Sequence, residues 1–202
     1  MDVRRFHPVS VQEKNRRRET FGFGTGDFII LYTAEFTPNK NHALILQQIP
    51  RLRRSIPNIR ILFAGKGELQ EACAEYAAGI YAADIVHFLG YRNDMEIICQ
   101  IADVYVSPSK REGLAVSNLE AMACGLPLIC SKIRGAIDII TEGRNGFFFE
   151  LDEPDRMAGL IITLYKSPEL RETISRYNAA DVQKFSVDTA IANMAGIYKQ
   201  FM

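Results

Sequence analysis

A doubly wound α/β fold with a parallel sheet of about six strands is what this sequence predicts, on three grounds. Short apolar runs alternate along the chain with segments of helical spacing. The runs are continuously apolar, in the manner of strands covered on both faces. No two runs flank an Asn-Gly turn, so the connections read as right-handed crossovers between parallel strands and not as hairpins. Together these describe a Rossmann-like sheet with helices on both faces and a helical segment at the carboxyl end.

The elements follow in order. Residues 1–26 are polar and basic and read as a linker and first-helix region, with Arg16, Arg17 and Arg18 as a solvated helix face and FGFGTGD as a Gly-rich turn. DFIILYTAE is the first strand. TPNKNHALILQQIPRLRRSIP has helical spacing at Ala43, Leu44, Leu46 and Ile49, with Thr37 as N-cap and Pro38 at the first helical position. IRILFAG, DIVHFLG, DVYVSPS, PLICS and NGFFFE supply the remaining strands. Between them, GELQEACAEYAAGIYAA and NDMEIICQIA read as helices, REGLAVSNLEAMACGLP as a short helix stopped by Gly125 and Pro127, and AIDII as one helical turn. Three helical segments complete the chain. The expected division places a ligand-binding body at 27–184 and a final helix at 185–202.

Composition narrows the class. A chain of 202 residues with 48% hydrophobic and 24% charged residues is long enough for a well-cored domain and has no disordered bias. Its 24 basic and 24 acidic residues cancel, so nothing global favours nucleic acid or an anionic membrane, and any anion site must be local. Cys73, Cys99, Cys124 and Cys130 form no CxxC pair, and His7, His42 and His87 are scattered without metal-ligand spacing. They read as buried thiols in a reducing compartment and as structural or surface histidines. No apolar run approaches the roughly 18 residues of a membrane span, so the expectation is a cytoplasmic protein.

In doubly wound sheets, ligands bind in the crevice beyond the carboxyl ends of the strands. The unusual residues collect there: Glu35 and Lys40 after the first strand, Gly65-Lys66-Gly67 after the second, Gly90-Tyr91-Arg92 after the third, Lys110, Arg111 and Glu112 after the fourth, Arg134 and Gly135 after the fifth. Gly65-Lys66-Gly67 suits either a tight turn or a backbone approach to phosphate, and it lacks the third glycine of the dinucleotide fingerprint. Lys40, in the first turn of its expected helix, is disfavoured by the helix dipole unless a phosphate is shared between it and the free amides.

Glu112 and Glu120 stand among small residues, Gly113, Ala115, Ala121, Ala123 and Gly125, that keep bulk away. Acceptor-only carboxylates suit vicinal hydroxyls, and a helix N-terminus beside them suits a diphosphate. Sugar hydroxyls flanking a diphosphate describe a nucleotide-sugar.

The stretch SPSKREGLAVSNLEAMACGLPLICSKIRGAIDIITEGRNGFFFE resembles the signature region of the retaining, glycogen-synthase-like family 4 glycosyltransferases, which have the two-domain GT-B fold. The Glu-x7-Glu spacing, the Glu-Ala-Met-Ala-Cys-Gly-x-Pro run and the later Gly-x-x-Gly match in order. The resemblance covers nearly the whole chain but half of that architecture: FSVDTAIANMAGIYKQFM is similar to the terminal crossover helix, and the acceptor-holding N-terminal domain has no counterpart. It implies transfer of a sugar, with retention, from a nucleoside-diphosphate sugar to an acceptor hydroxyl, without a metal or cofactor. The nearest branch builds capsular, exopolysaccharide or other cell-surface polysaccharide, with an acceptor such as a lipid-linked saccharide and a location at the inner membrane face. Carried over by residue, it makes Lys40 and Glu112 catalytic, on the diphosphate and the transferred sugar. Glu120 takes the ribose, Gly113 and the amides of Leu114, Ala115 and Val116 the diphosphate, and Gly65, Tyr91 and Arg92 the rest of the nucleotide. One position departs from the pattern. The family usually has arginine five residues before the lysine, and this chain has Glu35. The alternatives are a non-catalytic nucleotide-sugar module and a GT-B sugar-nucleotide epimerase relative.

Overall fold

A computed structural model describes residues 1–198 and contains the expected sheet. Its strands are β1 (Phe28–Thr33), β2 (Ile59–Ala64), β3 (Val86–Gly90), β4 (Val104–Ser107), β5 (Leu128–Ser131) and β6 (Gly146–Phe149). They lie in the order β3-β2-β1-β4-β5-β6, every neighbouring pair parallel. The central strands β1, β4 and β5 are buried almost throughout and the edge strands β3 and β6 only in part, which is why the central runs carry no polar alternation.

The helices are α1 (Val11–Thr20), α2 (His42–Ser55), α3 (Gln70–Gly79), α4 (Met95–Ile101), α5 (Val116–Ala123), α6 (Arg134–Ile137), α7 (Pro154–Lys166), α8 (Pro168–Asp181) and α9 (Val187–Tyr198). α2 packs with α3 and α7, α4 with α1 and α5, and α8 touches both α5 and α7. Among the described residues no helix is long and apolar enough to cross a membrane. All four cysteines are buried and free. The last four residues expected in the final helix lie outside those described.

The sheet's topology makes the crevice. Chain order reverses between β1 and β4, and their register holds only Ile30 with Val104 and Leu31 with Tyr105. Beyond Leu31 the strands part. There the Tyr105 hydroxyl donates to the Thr33 carbonyl at 3.2 Å, a side chain standing in for a ladder bond. β1 meanwhile stays paired with β2 as far as Thr33 and Ala64, so the loop after β1 is held to one side of the gap.

Two local expectations are corrected. Thr37 is not an N-cap and Pro38 is not helical: α2 begins at His42, behind Asn41 in the left-handed region at φ 55°. Asparagine tolerates that conformation better than most residues. Tertiary bonds hold residues 37–40 in a turn, with the Lys40 amide donating to Thr37 O, the Lys110 amide to Asn39 O and Asn39 Nδ2 to Arg111 O. Lys40 therefore stands on a loop tied to the loop after β4.

The arginine run is not a solvated face either. Arg16 is exposed and Arg17 pairs with Glu13, but Arg18 is buried. The Arg18 guanidinium donates to Ile101 O, Asp27 O and, at 2.6 Å, Asp103 Oδ2. Lys14 Nζ reaches Asp103 Oδ1 at 2.8 Å, and the Ile29 amide donates to Asp103 Oδ2. This cluster clamps the amino ends of β1 and β4, at the opposite end of the sheet from the crevice.

Candidate functional site

Loops from the carboxyl ends of β1, β2, β3, β4 and β5 surround the crevice. Its centre is an ion pair between Lys40 Nζ and Glu112 Oε1, both largely buried. The loops carrying them are pinned from below, where the Tyr32 hydroxyl donates to Lys40 O at 2.8 Å and bonds Ser109 Oγ at 2.9 Å. Burial raises the Tyr32 phenol far above its usual range, so it remains a neutral strut. The topology thus brings together the lysine and the first glutamate, 72 residues apart in sequence.

Gly135 sets the height of the Glu112 loop. A Cβ there would lie 1.8 Å from Gly113 O and 2.8 Å from Glu112 O, both backbone atoms that cannot swing aside. Gly135→Ala is therefore expected to displace residues 112–113, costing about 1–3 kcal/mol by overpacking and weakening any ligand held there. Chemical denaturation and ligand titration check it against Gly159→Ala in α7, where nothing lies within 4 Å and the change is neutral or stabilising.

Above Glu112, Leu114, Ala115 and Val116 lead into α5 with no side-chain cap. Among the described residues their amides have no protein acceptor, and Leu114 and Val116 are exposed. An uncapped helix start with free amides accommodates an anion. Gly113 is exposed and open on its Cβ side.

Glu120 lies one turn further on, half-buried, and its carboxylate makes no hydrogen bond among the described residues. Burial raises its pKa; Arg5 opposes the rise and Glu96 adds to it. A carboxyl group whose folded pKa is raised binds more protons folded than unfolded, so its presence lowers stability as pH climbs through that window. Glu120→Gln is expected to stabilise the fold at neutral pH by less than about 1 kcal/mol, an advantage that disappears in acid. Melting curves at acid and neutral pH test this.

Gly65, Tyr91 and Arg92 meet on the far side, lining a cleft of about 420 Å³ with Glu35, Lys66 and Met95. The Gly65 amide is taken by Gly90 O at 2.8 Å, so what Gly65 contributes is shape: a Cβ there would lie 2.0 Å from Ala34 O. Gly67 similarly lets Phe36 close in. Tyr91 is 73% exposed, and Arg92 is clamped to Asp94 at 2.6 and 2.8 Å. His42, at the start of α2, is buried against Phe36 with ring centroids 4.0 Å apart, and burial together with Lys40 pushes its pKa down to about 4. It is a neutral packing residue, as the sequence suggested.

Glu35 is exposed and makes no ion pair with Lys40, whose partner is Glu112. Lys110, Arg111 and Arg134 are exposed around the crevice and form no ion pair among the described residues.

The sequence profile of the glycosyl transferases group 1 family matches residues 13–181, most of the chain and all of the crevice. The chain belongs to this family. Bacillus subtilis (strain 168) EpsD, which carries a glycosyltransferase name, is 36% identical over 202 residues, covering 100% of this chain and 53% of its own length. The GDP-mannose-dependent monoacylated alpha-(1-6)-phosphatidylinositol monomannoside mannosyltransferase of Corynebacterium glutamicum is 26% identical over 192 residues, 91% of this chain and 50% of the relative. This group 1 chain thus spans about half the length of the curated relatives it matches. Among solved structures, Anabaena HepE in complex with UDP and glucose superposes with a TM-score of 0.88 at 21% identity, over 99% of this chain and 55% of that one. The fold is therefore that of one Rossmann-like half of a GT-B glycosyltransferase.

Proposed function

We propose that the crevice holds the donor of a retaining sugar transfer, a nucleoside-diphosphate sugar, and that this chain is the donor-binding half of a cell-surface polysaccharide glycosyltransferase. One observation carries the reading. A lysine-carboxylate pair, Lys40 with Glu112, adjoins the uncapped start of α5, and an unbonded carboxylate, Glu120, follows one turn on. Cation, free amides and hydroxyl acceptors stand in the order that a transferred sugar, a diphosphate and a ribose require.

In this scheme Glu120 accepts from the ribose hydroxyls, and the amides at Leu114, Ala115 and Val116 meet the diphosphate beside Gly113. Glu112 orients the transferred sugar. As the anomeric bond breaks, negative charge grows on the leaving diphosphate, and Lys40 with the α5 amides stabilises it. Arrival of the donor gives Lys40 a second anion to share with Glu112, so the pair opens toward the ligand. The cleft at Gly65, Tyr91 and Arg92 takes the base. The Corynebacterium relative is named for a GDP-sugar and the HepE structure contains UDP, so the fold serves purine and pyrimidine nucleotides alike. The phosphatidylinositol mannoside in the first name supports a lipid-linked saccharide as acceptor.

The chain by itself is expected to bind nucleoside diphosphates weakly and to transfer nothing. Thermal melting with UDP and with GDP tests the site: a stabilising shift in the wild type that shrinks in Glu120→Ala and Lys40→Ala supports it, and equal shifts in all three proteins contradict it.

A further inference from the structure

One charged group whose field reaches the proposed ribose acceptor comes from the amino-terminal segment, more than a hundred residues away in sequence. Asp2 Oδ1 takes the amides of Arg4 and Arg5 at 3.0 and 3.3 Å, and buried Phe6 anchors the segment, which delivers the Arg5 guanidinium to the start of α4. There Nε and Nη2 grip Glu96 Oε2 at 2.9 and 2.7 Å, and Nη2 also donates to Asn93 O at 2.5 Å. Asn93 belongs to the loop that presents Tyr91 and Arg92. α4 packs beside α5, so one side chain ties together the cleft loop, Glu96 and the surroundings of Glu120.

We propose that Arg5 is a positioning residue of the nucleotide site, fixing the β3–α4 loop and cancelling the charge of Glu96 so that Glu120 meets the ribose as an ionised acceptor. This rests on the reading of Glu120 given above. The groups whose charge reaches Glu120 are Arg5, Glu96 and the Met1 amino group. Of these, Glu96 repels it, and Arg5 both neutralises Glu96 and attracts Glu120. A carboxylate accepts from a hydroxyl more strongly than a carboxylic acid does, since the bond is charge-assisted. Loss of Arg5 would leave Glu96 uncompensated, and its charge would hold the proton on Glu120 to higher pH.

The test is isothermal titration of UDP and of GDP between pH ~4.5 and ~8, upward from the ordinary carboxyl range. It compares the wild type with Arg5→Ala, Arg5→Lys, Glu96→Gln and Glu120→Ala, and with Arg5→Ala combined with Glu120→Ala. Arg5→Ala is expected to weaken binding severalfold at the acid end and much less at the alkaline end. Arg5→Lys restores most of the loss, and Glu96→Gln binds more tightly than the wild type in acid. With Glu120 already alanine, removing Arg5 no longer alters the pH profile. If Glu120→Ala weakens binding but Arg5→Ala and Glu96→Gln leave the profile unmoved, the role of Arg5 is refuted and the site stands. If Glu120→Ala binds as the wild type does, or neither nucleotide binds the wild type, the site reading fails and the proposal with it. Should Arg5→Ala not fold, as melting would show, Glu96→Gln alone decides: no gain in acid overturns the proposal.

Discussion

Asp103→Ala is expected to destabilise the fold by about 3–5 kcal/mol, the usual consequence of leaving buried cations without their counter-charge. Asp103 receives Lys14, Arg18 and the Ile29 amide, all within 2.8 Å. Burial alone would push its pKa up, but Lys14 and Arg18 outweigh it and hold the carboxyl group below its usual range. A depressed carboxyl group contributes stability that is present above its unfolded pKa and lost as pH falls through the folded one. The penalty measured by urea denaturation is therefore largest at neutral pH and shrinks in strong acid. Asp103→Asn keeps part of the hydrogen bonding and costs less. A penalty under about 1 kcal/mol for the alanine variant would mean that the clamp is solvated after all. Because the cluster sits at the amino ends of β1 and β4, protein that remains folded is expected to bind nucleotide as the wild type does.

Lys40→Ala acts at the other end of the sheet. Charge-assisted hydrogen bonds contribute about 1.5–3 kcal/mol each, so affinity for UDP or GDP is expected to fall about tenfold to a hundredfold. The loss is aggravated because Glu112, no longer neutralised by Lys40, would repel a diphosphate bound in the proposed site. UMP and GMP, which lack the second phosphate, lose much less. Titration of the di- and monophosphates side by side checks this, and an equal loss for both would place Lys40 away from the terminal phosphate.

The parts of the molecule that sequence discloses are those decided locally. All six strands were legible because each is a short apolar run wedged between helices, and sheet burial imposes that pattern directly. Glu112 and Glu120 stood out because carboxylates among small residues need a partner. The start of α2 was misjudged because Thr37-Pro38 has good capping chemistry, yet bonds from Asn39 to the loop after β4 hold that stretch in a turn. Arg18 was misjudged for a similar reason. Arg16 does face outward and Arg17 is half-buried, and only the return of β4 with Asp103 at its start makes the third arginine a buried one.

Contacts across the switch point were the least accessible. The pairing of Lys40 with Glu112 depends on β1 lying next to β4 and separating from it after Leu31. The abutment of Gly135 on Gly113 needs β5 to be placed as well. Gly135 stands out in the sequence as a glycine after the fifth strand, but nothing in the sequence names its neighbour. Arg5 carried no signal at all, since its role is created by a segment that packs beside the site from outside the strand-helix alternation.

The claim on which the functional reading turns is that Glu120 accepts hydrogen bonds from a ribose. Calorimetric titration with UDP and with its 2′,3′-dideoxy counterpart, in the wild type and in Glu120→Ala, addresses it most directly. The wild type is expected to bind the ribonucleotide about ten times more tightly or better, as charge-assisted bonds to two hydroxyls require, and Glu120→Ala to erase the difference. Equal affinity of the wild type for the two nucleotides, or a preference that survives in Glu120→Ala, would contradict it.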